Sequence, residues 1–277
     1  MKKYISIILV ALTLLSSCEQ SNVKISRLAE NYNTDWGTIA TNITAAQEIK
    51  EVKNIVCVAV IDTGANVVDN RILQGYNVID NSRDCCDKLN HGTILCEKLL
   101  EINKNIYVIP IKIFDEDATL EVDKLCKGIK KAAELEVDVI NIACGIDAYY
   151  KELEDVINYA ISKSIIIVSA AGNDGMEELL YPARFDNVIS VMARDINNKD
   201  LSYNNKSKHK KSFSAPGDHI ICNSEYYSGT SIATVYITNF ACILKQENSK
   251  VNQKHVEEWL ISHSKYGNEY SYGFVLF

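Results

Sequence analysis

The chain has 277 residues, enough for one large domain with a substantial core. It is 47% apolar and carries a formal net charge of −7, which excludes a disordered chain and a nucleic-acid-binding surface. No internal repeat, low-complexity stretch or interdomain linker interrupts it.

The first residues form a unit of their own. Lys2 and Lys3 precede an apolar run from Ile5 to Leu15, the outline of a secretory signal peptide and too short to span a bilayer. Leu15-Ser16-Ser17-Cys18 resembles a bacterial lipobox, which implies a lipid on Cys18, export, and a membrane-anchored protein of the cell envelope. An ordinary cleaved signal with an incidental cysteine is the alternative. Loss of the two leader lysines would leave 27 − 36 = −9. Residues 19–35 read as a short tether, with the folded domain at 36–277.

Trp36 and the apolar-spaced stretch Ile39–Ile49 are expected in short helices. Asn54–Ile61 is a near-continuous β-branched run, as for a strand covered on both faces, and it delivers Asp62-Thr63-Gly64-Ala65 at its C-terminal end, where open α/β sheets place functional groups. Asn90-His91-Gly92-Thr93 opens a helix reaching Leu100. Ile106–Phe114 is a strand, and Val122, Leu125, Cys126, Ile129 and Ala133 mark a helix face. Asp138–Cys144, ending at Gly145, is a strand; Leu153–Ile161 is a helix; Ile165–Ala170 is a buried strand that runs into Ala171-Gly172-Asn173-Asp174-Gly175. Val188–Met192 is strand-like. Asn204–Lys211 is basic and expected as a solvated loop, Ser214–Gly217 as a turn before Ile220-Ile221-Cys222. An apolar run from Ile232 and a closing helix with Val256, Trp259 and Leu260 complete the chain. Strands alternating with helices imply an α/β fold with a mostly parallel central sheet and helices on both faces.

Of the nine cysteines, those after Cys18 lie mostly inside apolar patterns, where the thiol is a small hydrophobe. Cys85-Cys86 stands in a polar loop, but no second cysteine–histidine pair with zinc spacing accompanies it, so free thiols and no metal centre are expected.

Ser228-Gly229-Thr230-Ser231-Ile232-Ala233-Thr234 places a serine at a helix start, where free N–H groups and the positive dipole end face a developing anion. A plain N-cap would read the same, and a lipase-type elbow would need glycine where Ala233 stands. The serine therefore needs partners elsewhere. Asp62, His91 and Ser231 follow in the order Asp, His, Ser.

The chain resembles the subtilisin-like serine peptidases. VAVIDTG around Asp62, NHGT around His91 and SGTSIAT around Ser231 resemble that family's three catalytic motifs. AAGND around Asn173 resembles its oxyanion turn, INIACG its substrate-pairing strand, and YPARFDNVISVMA and SAPGD further landmarks. The resemblance runs from about Trp36 to Leu260 and implies a subtilisin-like three-layer fold. It also implies a polypeptide substrate, a monomer and no obligatory cofactor, although calcium often stabilises such enzymes and no calcium ligands are assignable. By the resemblance, Ser231 is nucleophile, His91 the base, Asp62 its partner and Asn173 an oxyanion donor. Ala143, Cys144 and Gly145 pair with substrate, and Asp174 walls the pocket for the residue before the cut.

The departures are local: Ile232-Ala233-Thr234-Val235-Tyr236 replaces Met-Ala-x-Pro-His, Ile94-Leu95-Cys96-Glu97 follows the histidine motif, and Ala143-Cys144 replaces Ser-Leu. Residues 19–35 are too few for the family's prodomain. Asp115, Glu116, Asp117, Glu121, Asp123, Asp174, Glu177 and Glu178 fall near the expected groove and give the expectation of cleavage after Arg or Lys, for example in exported leader peptides. Two alternatives stand beside this reading. One is a catalytically silent subtilisin-like binding or regulatory protein. The other is an aspartic protease built on Asp62-Thr63-Gly64, which leaves the remaining motifs unexplained.

Overall fold

The computed structural model describes residues 35–45 and 52–276; the leader, Cys18 and residues 19–34 lie outside the described residues. The segments rich in β-branched residues form the sheet's interior. β1 (Val56–Asp62) lies between β3 (Ile106–Lys112) and β4 (Val139–Ile142), parallel to both. Beyond β4 come β5 (Ile166–Ala170), β6 (Ile189–Arg194) and β7 (Ser212–Pro216), all parallel, while short β2 (Tyr76–Asn77) borders β3. β8 (Ile220–Cys222) and β9 (Glu225–Tyr227) form a separate hairpin.

Because β1 is covered on both sides, its alternate residues enter different cores. Val56, Val58 and Val60 join α2 (His91–Ile102) and α5 (Thr230–Glu247) on one face; Ala59 and Ile61 join α3 (Val122–Glu134) and α4 (Lys151–Ser162) on the other. Asp62 is thereby delivered at the C-terminal edge of the sheet, between the ends of β3 and β4.

Two buried polar ties fix the first face. Asn141 in β4 donates from Nδ2 to Thr234 Oγ1 (2.9 Å) and Thr238 Oγ1 (2.8 Å), which sets the rotation of α5. Lys98 of α2, fully buried, donates from Nζ to Asp35 Oδ2 at 2.8 Å and to Ile221 O at 2.9 Å; Tyr236 of α5 donates its hydroxyl to Asp35 Oδ1. Burial works against the Asp35 charge, but the Lys98 ammonium and the hydrogen bonds outweigh it and hold the carboxyl below the usual range. Asp35 also caps α1 (Trp36–Thr41) through the Thr38 N–H.

Three sequence expectations are corrected. The turn expected at Ser214–Gly217 is not one: Ser214, Ala215 and Pro216 end the fully buried strand β7 (Ser212–Pro216). Its hydroxyls pair across strands, Ser212 with Ser190 (2.8 Å) and Ser214 with Ser271 (2.7 Å), so polar side chains are satisfied inside the sheet. The chain does not close on helix α6 (Gln253–Ser262). It continues through β10 (Ser264–Lys265) to β11 (Ser271–Val275), which pairs in parallel with β7. Nor is Asn204–Lys211 solvated throughout. Asn204 exchanges hydrogen bonds with the Ala193 backbone, and Lys210 Nζ donates to the carbonyls of Ala183 (2.7 Å), Phe185 and Val188 (2.6 Å). Burial pulls the Lys210 pKa down to about 8.

Candidate active site

Asp62 is 1% exposed. Its Oδ1 accepts from the Thr63 N–H at 2.8 Å and lies 2.7 Å from His91 Nδ1; Oδ2 is buried without a hydrogen-bond partner among the described residues, so the charge is balanced through Oδ1. His91 can reach it because Gly92 lets the start of α2 sit against the loop after β1. A Cβ on Gly92 would stand 2.2 Å from Gly64 O and 3.2 Å from Asp62 Oδ1. Thr63 Oγ1 accepts from the Gly92 N–H at 2.9 Å and ties the same two segments.

Asp87 holds the other flank, and its role is not legible in the sequence. Its carboxylate accepts from the N–H groups of Leu89, Asn90 and Thr93 and from Thr93 Oγ1, capping the first turn of α2. Burial opposes protonation of His91, but the Asp62 charge and hydrogen bond, with Asp87 behind them, raise its pKa above the ordinary imidazole value. The His91 side chain remains 46% exposed.

Ser231 is the second residue of α5, and its Oγ donates to Ala143 O at 2.9 Å. The pairing of Ile61 with Ile142 puts Ala143 across from Asp62, so the hydroxyl stands one strand away from the carboxylate-bearing strand end. Among the described residues its hydrogen bond goes to Ala143 and not to the His91 ring. The Ser231 N–H lies in the first helical turn, where no carbonyl one turn back can accept it.

Asn173 lies beside this helix end. Its Oδ1 accepts from the Thr230 N–H (2.9 Å) and Thr230 Oγ1 (3.0 Å), so its amide NH2 is the end left facing outward. Gly229, at φ 145°, adopts the conformation that brings the loop to the helix start; a Cβ there would be 3.4 Å from Asn173 Nδ2. Asn205 supports the turn: its N–H donates to Gly172 O, and its Oδ1 accepts from Asp174 N and Met176 N. The sequence reading missed it because it sits in the basic loop expected in solvent.

The profile of the peptidase S8, or subtilase, family matches residues 53–274. The chain belongs to the subtilase family. It is 29% identical over 266 residues to the thermophilic serine proteinase of Bacillus sp. strain AK1, which covers 88% of this chain and 64% of that protein. It is 30% identical over 257 residues to the thermostable alkaline protease of Halalkalibacterium halodurans, across 84% of this chain and 70% of the relative. The chain thus spans less than two thirds of the first relative's length. A solved lanthipeptide protease superposes with a TM-score of 0.69 at 20% identity, covering 79% of this chain and 85% of that one, and shares the fold. The names of these relatives describe proteases.

Within this subtilase, the site residues expected from sequence fall into two groups. Asp62, His91, Ser231, Asn173, Ala143, Cys144 and Gly145 gather at the C-terminal edge of the sheet. Five of the eight acids expected along the groove are paired with cations. Lys124 engages Asp115 (2.5 Å) and Glu121 (3.0 Å), Lys127 engages Asp123 (2.6 Å), Lys88 pairs with Glu116, and Arg184 holds Glu178 at 3.1 Å. Asp174 and Glu177 remain exposed on the turn. These pairs reduce the negative field behind the expected cleavage after Arg or Lys.

The eight described cysteines are free. Burial pushes the thiols of Cys96 and Cys144 well above their ordinary range, and the Asp62 charge adds to it, so neither supplies a thiolate near the site. Among the described residues no group of three or more His, Cys, Asp or Glu could hold a metal ion.

Proposed function

We propose that the protein is a serine endopeptidase working through an Asp62–His91–Ser231 triad and an acyl-enzyme. The observation that carries this reading is the 2.7 Å His91–Asp62 hydrogen bond at the sheet edge that also bears Ser231. Ser231 Oγ is hydrogen-bonded to Ala143 O here, and catalytic contacts of this kind commonly tighten only when substrate arrives. Ser231 Oγ then attacks the scissile carbonyl while His91 Nε2 takes its proton. Asp62 holds Nδ1–H and balances the imidazolium. The Asn173 NH2 and the Ser231 N–H receive the oxyanion. His91 returns the proton to the leaving amine, and water, deprotonated by the same ring, releases the acyl group. The backbone of Ala143–Gly145 receives the substrate as an added strand.

A fluorophosphonate probe tests the reading. It should label the protein stoichiometrically at Ser231 and fail on Ser231→Ala. Folded, unlabelled wild-type protein would establish instead the silent, regulatory alternative.

We further propose that Cys18 carries a lipid, that the enzyme is monomeric at the cell envelope, and that exported peptides, leader segments among them, are its substrates. The lipobox-like Leu15–Cys18 supports the anchor. Cys18→Ala should move the protein from the detergent phase to the aqueous phase, since a multi-chain anchor is what makes such attachment stable. Partitioning that survives the substitution removes Cys18 as the anchor.

A further inference from the structure

The backbones leaving β4 and β5 part as the strands end, and the slot between Ala143–Gly145 and Ala171–Asn173 opens beside Ser231. On the serine-peptidase reading, with a peptide carbonyl at Ser231 and Asn173, this adjoining slot would receive the side chain before the cut. Residues 180 and 181 are strung across it. The Leu180 N–H donates to Ala171 O at 3.0 Å on one wall. Tyr181 exchanges both backbone hydrogen bonds with Ile146 on the other, at 2.9 and 2.7 Å.

The Leu180 side chain occupies the space between the two walls. A Cβ on Gly145 would lie 2.7 Å from Leu180 Cβ and 3.4 Å from its Cδ1; one on Gly172 would lie 2.9 Å from its Cγ. Both glycines are therefore in contact with the same leucine. Leu180 is only half-buried, so part of its side chain remains open. Its surface is aliphatic, and the nearby Glu178 is already engaged by Arg184 and Ser207. A lysine or arginine entering the slot would meet carbon and no free counter-charge from that residue.

We propose that Leu180 is the floor of this slot and restricts the residue before the cut to small side chains: glycine, alanine or serine. The proposal rests on the serine-peptidase reading above and narrows its substrate class. One methylene too many in a closed apolar pocket discriminates by about 10- to 200-fold, and phenylalanine, leucine, lysine and arginine each exceed alanine by several heavy atoms.

The test profiles a peptide library varied at the residue before the cut, with rates divided by the concentration of sites titrated by a small fluorophosphonate that contains no peptide. Wild type should prefer alanine, glycine or serine over phenylalanine and lysine by at least about tenfold. Leu180→Gly should raise phenylalanine and leucine relative to alanine by about tenfold or more, and Leu180→Ala, the milder change, should move the same way. A titratable wild type that prefers phenylalanine, leucine, lysine or arginine overturns the proposal and leaves the serine-peptidase reading intact. So does a profile unchanged in both variants. Wild type that neither titrates nor cleaves overturns both.

Discussion

The two faces of the sheet are held by different kinds of contact. Under α3 and α4 the packing is a stripe: Leu125, Ile129, Ala132 and Ala133, with Leu153, Ile157 and Ala160, rest on Ala59, Ile61, Ile140, Ile142 and Ile167. The charges on those helices form solvent-exposed pairs such as Lys127–Asp123 and Lys151–Asp155, which water screens and which add little to stability. Under α2 and α5 an equally apolar core is crossed by buried directional ties, Asn141 to Thr234 and Thr238, and Lys98 to Asp35 to Tyr236. Apolar burial has no direction and lets a helix slide or turn at little cost. Hydrogen bonds between fixed atoms do not. The ties lie on the face whose helices carry His91 and Ser231 in their first turns, where a displacement of 1 Å would matter.

The comparison can be broken at several points. Ser231→Ala should lower kcat by about 10^5- to 10^6-fold with circular dichroism unchanged, as triad members act as a unit. Unimpaired turnover in purified variant would dismiss Ser231. Asn173→Ala removes one oxyanion donor and should cost about 10²- to 10³-fold in kcat with a smaller change in KM. An effect confined to KM would reassign Asn173 to binding.

A pair of substitutions sharpens the contrast between faces. Ile157→Ala, on the α4 side, should cost about 2–5 kcal/mol of stability and leave kcat unchanged at temperatures where the variant stays folded. Asn141→Ala should cost less, about 1–3 kcal/mol. It frees α5 to rotate, however, and should reduce kcat on the order of tenfold to a hundredfold. Thermal melts with kcat for both variants decide it: if Asn141→Ala loses stability alone, the faces are equivalent.

The smallest expected effect is on pH. Asp87 helps raise the His91 pKa, so Asp87→Asn should move the acid limb of kcat/KM to lower pH. The sign for stability follows from the raised value. The His91 interaction stabilises the fold fully below the unfolded imidazole pKa and loses that contribution as pH rises through the folded pKa. Asp87 behaves oppositely. Burial opposes its charge, but the Thr93 hydrogen bonds prevail and depress its pKa, so its stabilisation is present above the ordinary carboxylate value and lost as pH falls through the folded one. An acid limb that stays in place would remove Asp87 from the electrostatics of the site.

Much of the interior was legible because its strands are long apolar runs. Asn54–Ile61 and Ile165–Ala170 announce themselves, and each runs into a turn that carries a residue of the site, Asp62 or Asn173. What escaped lacks that periodicity. Ser212–Pro216 carries only Phe213 and Ala215 as apolar partners, and its burial depends on serines of β6 and β11 that no local window contains. Asn205 and Lys210 look like loop residues, because their partners are backbone groups contributed from residues 172–188. Leu180 reads as one apolar residue among Leu179, Leu180 and Tyr181; only the convergence of two glycine-bearing walls gives it a role. The acidic residues were expected along the groove, but the cations that pair with five of them come from one helical turn away or from another loop.

The pairing of β11 with β7 has a consequence for biosynthesis. Until residues 271–275 have left the ribosome, β7 presents an unpaired edge, and Ser214 lacks the hydroxyl that accompanies it in the finished sheet. An unpaired edge of a parallel sheet is a template for another chain. The nascent protein therefore carries an adhesive border until β11 emerges, and truncation before Ser271 should yield aggregates in place of a shorter folded protein.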